Sequence, residues 1–265
     1  MLPFAESFLA WASSTAVPAL VGLGLITVVG RRTSPRYVAA FALGIFFWFF
    51  VDTIEGSANL DLNAGFAGGV NQVAMVILFA AGVLLFLWAD GDLFSLSEAS
   101  PDRGLIIPLL AALAIGIHGF GEGTAFGSTA ALTSGTSLFD AFGGVSAGAA
   151  YALHKMFEPM MAGALYVVCS KGRPGGVGIR TKDLLLMALL FVIPSLIGAI
   201  TGYFISYDAT YFFALGTGTS IYVALRLAKQ ALQTPAAPGR QESLRTSLAL
   251  ILGFILIYLA ALLHS

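Results

Sequence analysis

Apolar residues along this chain come in long runs bounded by short polar breaks. The runs fall at 7–30, 37–54, 69–89, 104–127, 141–169, 184–206, 209–229 and 246–263. A helix needs about 20 apolar residues to cross a bilayer core, so the pattern predicts an all-α, polytopic membrane protein with eight transmembrane helices. The first run has no Lys or Arg before it and Arg31 and Arg32 after it. That is the reverse of a secretory leader's charge layout, and the run is expected to stay in the mature protein.

Composition narrows the class. Of the 265 residues, 58% are hydrophobic and 10% charged, whereas soluble domains carry roughly 25% charged residues. An ordinary soluble domain, a nucleic-acid binder and a disordered tail are all excluded. The apolar runs leave little chain for anything outside the bilayer, and the only linker-like stretch is TPAAPGRQES at 234–243, so residues 1–265 read as one transmembrane domain. The net charge of -1 gives no global steering, and the single cysteine, Cys169, excludes an internal disulfide.

Basic residues favour cytoplasmic loops, and the 13 in this chain sort accordingly. Arg31, Arg32 and Arg36 follow the first run, and Arg103 the third. Lys171, Arg173, Arg180 and Lys182 follow the fifth, while Arg226, Lys229, Arg240 and Arg245 follow the seventh. The alternate loops hold none, which predicts both termini outside. Lys155 is the exception, in the middle of a span.

It has ionisable company. Side chains of this kind inside a span cost roughly 2.5–3.5 kcal/mol each on insertion scales and face the bundle interior. His118 and Glu122 lie four apart in the fourth run, and His154 and Glu158 repeat that spacing in the fifth, so each pair shares a helix face. Two such faces opposed make a pocket of two imidazoles and two carboxylates, which suits a divalent cation, zinc most readily and Fe, Mn, Co or Cd next. Gly119, Gly123 and Gly127 form a small-residue stripe beside the first pair and allow close helix approach. Pro159 follows Glu158 and frees a carbonyl one turn back. The runs AIGIHGFGEGTAFG and AYALHKMFEPMMAG echo one another across oppositely directed spans, as do Phe41-Ala-Leu-Gly44 and Phe213-Ala-Leu-Gly216. Such echoes predict inverted repeats with a site near the midplane, an architecture of secondary transporters.

His118-Gly-Phe-Gly-Glu122-Gly123 resembles the His-Asn-x-Pro-Glu-Gly motif in the fourth helix of the ZIP (Zrt/Irt-like) metal transporters, and His154-Lys-Met-Phe-Glu158 resembles the matching motif of their fifth. FALGIFFWFFVDTIEG, SLIGAITG and FALGTGTSIYVAL extend the likeness over the second, sixth and seventh spans. The resemblance implies a 3+2+3 inverted-repeat arrangement and a primary metal site of His118, Glu122, His154 and Glu158. It also implies transport by motion of one helix group against another. Many ZIP proteins hold a second metal beside the first; at those positions this chain has Gly119, Lys155 and Ser195. The site is therefore expected to be mononuclear, with Lys155 as counter-ion in place of the second metal. The family's His-rich loop is replaced by ADGDLFSLSEASPDRG, and Phe46 stands where some members have Met.

Two pairs of peripheral acids complete the reading. Asp52 and Glu55 lie at the outer end of the second span and Asp90 and Asp92 at the inner end of the third; they are candidates for cation entry past one pair and exit past the other, although interfacial acids are common and that plainer reading is the favoured one. Asp140 and Asp208 read as solvated caps, and Trp11, Trp48 and Trp88 as lipid-facing or interfacial. The expected function is carriage of a divalent metal ion, as transported substrate, across the plasma membrane toward the cytoplasm, without enzymatic activity. The alternative is an intramembrane metal-dependent hydrolase in which Glu122 or Glu158 acts as base. Expected partners are membrane lipid and the divalent ion, not nucleic acid; homodimer formation stays open.

Overall fold

The computed structural model describes residues 2–63, 70–91, 104–133, 142–171, 179–205, 208–232 and 239–262, except the side chains of 52, 55–63, 70 and 71. Among the described residues the chain forms eight helices and no strand. They are α1 (Phe4–Arg32), α2 (Pro35–Asn63), α3 (Val70–Asp90), α4 (Ile106–Leu132), α5 (Val145–Lys171), α6 (Thr181–Ile205), α7 (Thr210–Leu232) and α8 (Arg240–Ala261). Each covers one of the apolar runs, but α2 continues to Asn63 and α8 begins at Arg240. Hydropathy ends at the first charges, whereas a helix ends only where its backbone is interrupted. Gln241, Glu242, Leu244 and Arg245 are good helix formers, so α8 starts immediately after Gly239.

Among the described residues, five helices are long and apolar enough to cross a membrane: α1, α3 from Gln72, α4, α6 and α8. These are the features of a multi-pass membrane protein. Helices α5 and α7 are more polar because neighbours enclose them. Most residues from His154 to Ser170 of α5 are buried, as are Gly216 to Ser220 and Arg226 of α7, and the described apolar stretch of α2, Pro35–Val51, buries Val38 to Ala40 and Ala42 to Phe46. A helix enclosed by other helices need not be apolar toward lipid, which leaves room for His, Lys, Glu, Arg and Thr.

The helices sort into two groups. In one, α4 packs along α6, α1 along α5, and α1 also touches α6; in the other, α2 packs on α8 and α7, and α3 on α7. The groups meet chiefly where α4 lies on α7 and α2 on α5. Exchanging α1 with α6, α2 with α7, α3 with α8 and α4 with α5 maps each of these pairs onto another of them or onto itself.

Small residues set the close pairings. A Cβ added at Gly123 would overlap the Ser195 carbonyl and lie 2.8 Å from Ala199 N, and one at Gly127 would overlap the Ala199 carbonyl. Gly198 and Gly202 return the contact against the carbonyls of Phe120 and Thr124. Partner numbers rise together on the two helices, so α4 and α6 run parallel. On α1 and α5, Gly22 meets Met156 and Gly30 meets Val167, again in parallel register. With lipid as solvent there is little hydrophobic drive between helices, and such backbone approach supplies dispersion instead.

Basic residues gather at one end. Lys171 Nζ donates to the Thr33 carbonyl at 2.6 Å, and Arg36 lies 3.5 Å from Glu242, which brings together the end of α1, the starts of α2 and α8 and the end of α5. At the opposite end Leu2 N donates to the Ala130 carbonyl, and its own carbonyl accepts from the Tyr203 hydroxyl at 2.6 Å.

Trp88 is 82% exposed, as a lipid-facing side chain is. Trp11 is not lipid-facing; it is buried, stacked on Phe126 and Tyr151 at 4.5 and 4.6 Å. Its indole N–H donates to Ser195 Oγ at 3.1 Å. An indole has both a large apolar face and a donor to satisfy, and an interior hydroxyl meets both needs. Trp48 is half-buried, packed edge-on against Tyr258.

Candidate metal centre

The two His-x-x-x-Glu faces do oppose one another. Ligand atoms of His118, Glu122 and Glu158 lie within 4.8 Å of one another. His154 stands outside that mutually close set, with Nε2 2.6 Å from Glu158 Oε1 and 4.0 Å from Glu122 Oε1, and His118 Nε2 is 3.6 Å from Glu122 Oε1. A tetrahedral ion with bonds of about 2.1 Å holds its ligand atoms about 3.4 Å apart. These separations bracket that edge.

Lys155 divides the cluster. Its Nζ donates to Glu158 Oε2 at 2.7 Å and also to Glu122 Oε2. Both Oε2 atoms thus face the ammonium, and both Oε1 atoms face the imidazoles. The lysine is wholly buried, with the Tyr151 and Phe191 rings each 5.5 Å from Nζ, and aromatic faces attract a desolvated cation. With all three groups ionised, the two carboxylates and one ammonium leave one net negative charge for an incoming cation.

Burial differs across the site. The His118 side chain is 1% exposed and that of Glu158 0%, while Glu122 retains 13%. Among the described residues neither ring nitrogen of His118 has a hydrogen-bond partner. An unsatisfied buried polar group costs about 1–3 kcal/mol, and a neutral imidazole so placed has a ring nitrogen available for coordination. Its ring is walled by Phe49 of α2, edge-on at 4.7 Å, and by Phe213 of α7 at 5.5 Å. Gly216 of α7 lets the helices close, since a Cβ there would lie 2.6 Å from His118 Cα. The cluster therefore belongs to α4 and α5 of one group and is covered by α2 and α7 of the other. Sequence reasoning missed Phe49 and Phe213; the only signal was that each lies in the runs that resemble ZIP helices.

The positions expected for second-site ligands converge. A Cβ at Gly119 would sit 3.3 Å from Ser195 Cβ and 3.9 Å from Glu122 Oε2, on the side of that carboxylate that Lys155 holds. None of the three supplies an anionic ligand.

The peripheral acids fare differently. Asp90 is no free acid at a way out, because it is buried in a two-pronged pair with the Arg226 guanidinium, between α3 and α7. A carboxylate so compensated has no charge left for passing cations. The side chains of Asp52 and Glu55, and Asp92 and Asp140 altogether, lie outside the described residues. Asp208 Oδ1 accepts from Thr210 N at 3.0 Å, at the start of α7. No protein-family model matches this chain, and no curated protein matches it.

Proposed function

We propose that the protein is a divalent-metal transporter of the ZIP type, carrying an ion of the zinc, iron, manganese or cadmium kind toward the cytoplasm through one His/Glu site. The observation that carries this is the division of the carboxylates: Lys155 takes Oε2 of both glutamates, leaving both Oε1 atoms with His118 and His154. One dication on the Oε1 side turns the cluster's net charge from one negative to one positive. A second would add two more positive charges in a low-dielectric interior, where like charges repel strongly. The mononuclear reading follows, with Lys155 as permanent counter-ion. Zinc fits two nitrogens and two oxygens best.

Transport rather than static binding is supported by the seam. The ligands ride on α4 and α5, which are tied by close backbone contact to α6 and α1, while their cover comes from the other group. Sliding one group along the other would uncover the site without disturbing its ligands, a rigid-body form of alternating access. The exchange of helix pairs described above supports the 3+2+3 inverted repeat, and the collection of basic residues at one end supports exterior termini.

Purified protein in proteoliposomes with a trapped fluorescent chelator is expected to take up zinc, and His118→Ala or Glu158→Ala to abolish that uptake. Anomalous scattering from zinc- or cadmium-soaked crystals should give one strong peak among the four ligands. Binding without uptake would leave a sensor or scaffold, and two peaks within about 4 Å would overturn the mononuclear site.

A further inference from the structure

A second feature of the seam is apolar. A cleft of about 280 Å³ lies where α1 and α5 of one group face α2 and α8 of the other. Leu25, Val29, Phe41, Met160, Ala249 and Leu252 line it. Leu25, Val29 and Leu252 are each about half exposed, so the cleft opens sideways toward the bilayer, where the available solvent is acyl chain. Its volume falls just below the usual range of ligand pockets, about 300–1,000 Å³, and its wall offers no side-chain hydrogen-bond partner except Thr33 and Tyr37 at one end.

That end is basic. On α1 the lining positions Leu25 and Val29 continue along the same helix face to Arg32, and on α8 Leu256, Leu252 and Ala249 continue to Arg245. Both arginines are exposed. Lys171 is fixed there by its bond to the Thr33 carbonyl, and Arg36 precedes Tyr37 of the lining. Of the acids at the basic end, Asp183 is buried against the Tyr166 hydroxyl and Asp90 against Arg226, while Glu242 lies 3.5 Å from Arg36 and is 45% exposed. Four basic side chains thus stand toward the rim of a largely apolar groove, and of the four only Arg36 is paired with an exposed acid among the described residues.

We propose that this cleft seats one acyl chain of an anionic phospholipid, whose phosphate is held by Arg32, Arg36, Lys171 and Arg245. Charge complementarity selects the lipid, since each basic residue near a membrane surface contributes about 1 kcal/mol toward anionic headgroups. The counterpart seam, where α6 and α4 face α7 and α3, is closed by the approach of Gly216 to His118 and by a 3.3 Å separation between a Cβ at Gly121 and Phe212 Cβ. The lipid is therefore a one-sided wedge between the two helix groups. The proposal does not rest on metal transport.

The test uses the full chain in mild detergent, with palmitoyl-oleoyl phosphatidylglycerol and the matching phosphatidylcholine in equal amounts and bound lipid read by native mass spectrometry. Phosphatidylglycerol is expected to be retained in preference. Arg32→Gln with Arg245→Gln should lower its retention by about 25-fold, fivefold per charge, and leave phosphatidylcholine unchanged. Ala249→Phe fills the cleft and should reduce both lipids, and glycerol phosphate, which has no chain, should not bind. Monodisperse elution and unchanged circular dichroism identify folded variants, and Leu252→Phe is the substitute if Ala249→Phe fails. Equal retention of the two lipids by wild type, wild-type retention by a folded, filled variant, or binding of glycerol phosphate alone would overturn the proposal.

Discussion

The α4 and α5 halves of the cluster share a spacing and little else. On α5 the His154–Glu158 pair is tight at 2.6 Å, its carboxylate is wholly buried, and the residue after the histidine is a lysine that ties both glutamates together. On α4 the His118–Glu122 pair is loose at 3.6 Å, its carboxylate keeps some exposure, and the residue after the histidine is glycine. The α5 half carries its own counter-ion in Lys155, whereas on the α4 half both ring nitrogens of the histidine have no hydrogen-bond partner among the described residues. A duplicated motif has thus been divided between a fixed base and a receptive face. Such a division suits a site that must both hold an ion and release it, because a site complete on every side would hold too tightly for turnover.

The largest effect follows from removing the tie. Lys155→Met leaves two buried carboxylates without a counter-ion, and uncompensated buried charge costs about 3–5 kcal/mol. Metal-free Lys155→Met is expected to melt far below wild type, and zinc to recover more of its stability than it adds to wild type, since a dication now supplies the missing charge. Calorimetric titration at fixed pH should show tighter zinc binding than wild type, with slower release. Unchanged stability and affinity would mean that the lysine charge is irrelevant to the site and that the halves differ only in packing.

The two histidines separate the halves next. His154→Leu removes the imidazole whose Nε2 lies 2.6 Å from the wholly buried Glu158 Oε1, and a buried charged group that loses a close polar neighbour is expected to cost about 1–3 kcal/mol. His118→Leu removes two ring nitrogens that have no hydrogen-bond partner among the described residues and leaves an apolar side chain between Phe49 and Phe213. Its expected effect on metal-free stability is near zero or favourable. Both variants should lose zinc uptake in liposomes. Equal destabilisation by the two substitutions, read from denaturation midpoints, would erase the distinction between a base and a receptive face.

Much of this was legible one residue at a time. The apolar runs placed all eight helices, because a membrane span must be continuous and apolar wherever it meets lipid. The four candidate ligands stood out because ionisable groups in such runs are rare, and the spacing of four put each pair on one face. The cover of the site was not legible: Phe49, Phe213 and the buried Trp11 look like lipid-facing aromatics in a sequence where lipid and protein interior are equally apolar. The pairing of Asp90 was not legible for a related reason. Its partner Arg226 is far along the chain, on a helix whose other charges read as a cytoplasmic flank, and only packing brings the two together. The ends of α2 and α8 were missed because helix propensity continues past the point where hydropathy stops.

The smallest effect tests the seat opposite the lysine. Gly119 follows His118 as Lys155 follows His154, yet a Cβ at Gly119 has room: its nearest neighbours are Ser195 Cβ at 3.3 Å and Ser195 Oγ at 3.7 Å, so a shift of a few tenths of an ångström accommodates it. One turn on, Gly123 has none, since a Cβ there would overlap the Ser195 carbonyl and lie 2.8 Å from Ala199 N. Gly123→Ala is expected to force α4 away from α6 and cost about 1–3 kcal/mol, the usual penalty of overpacking. In Gly119→Ala the gain in helix propensity, up to about 1 kcal/mol, offsets the tight contact, and net stability should stay within about 0.5 kcal/mol of wild type. Zinc affinity should stay near wild type too, because the added methyl lies 3.9 Å from Glu122 Oε2, the oxygen turned toward Lys155 rather than toward the histidines. Thermal melts and calorimetric titration of the two variants decide it. A large loss of zinc binding in Gly119→Ala, with stability intact, would move the ion to the Oε2 side of the carboxylates and make Lys155 its competitor instead of its neighbour.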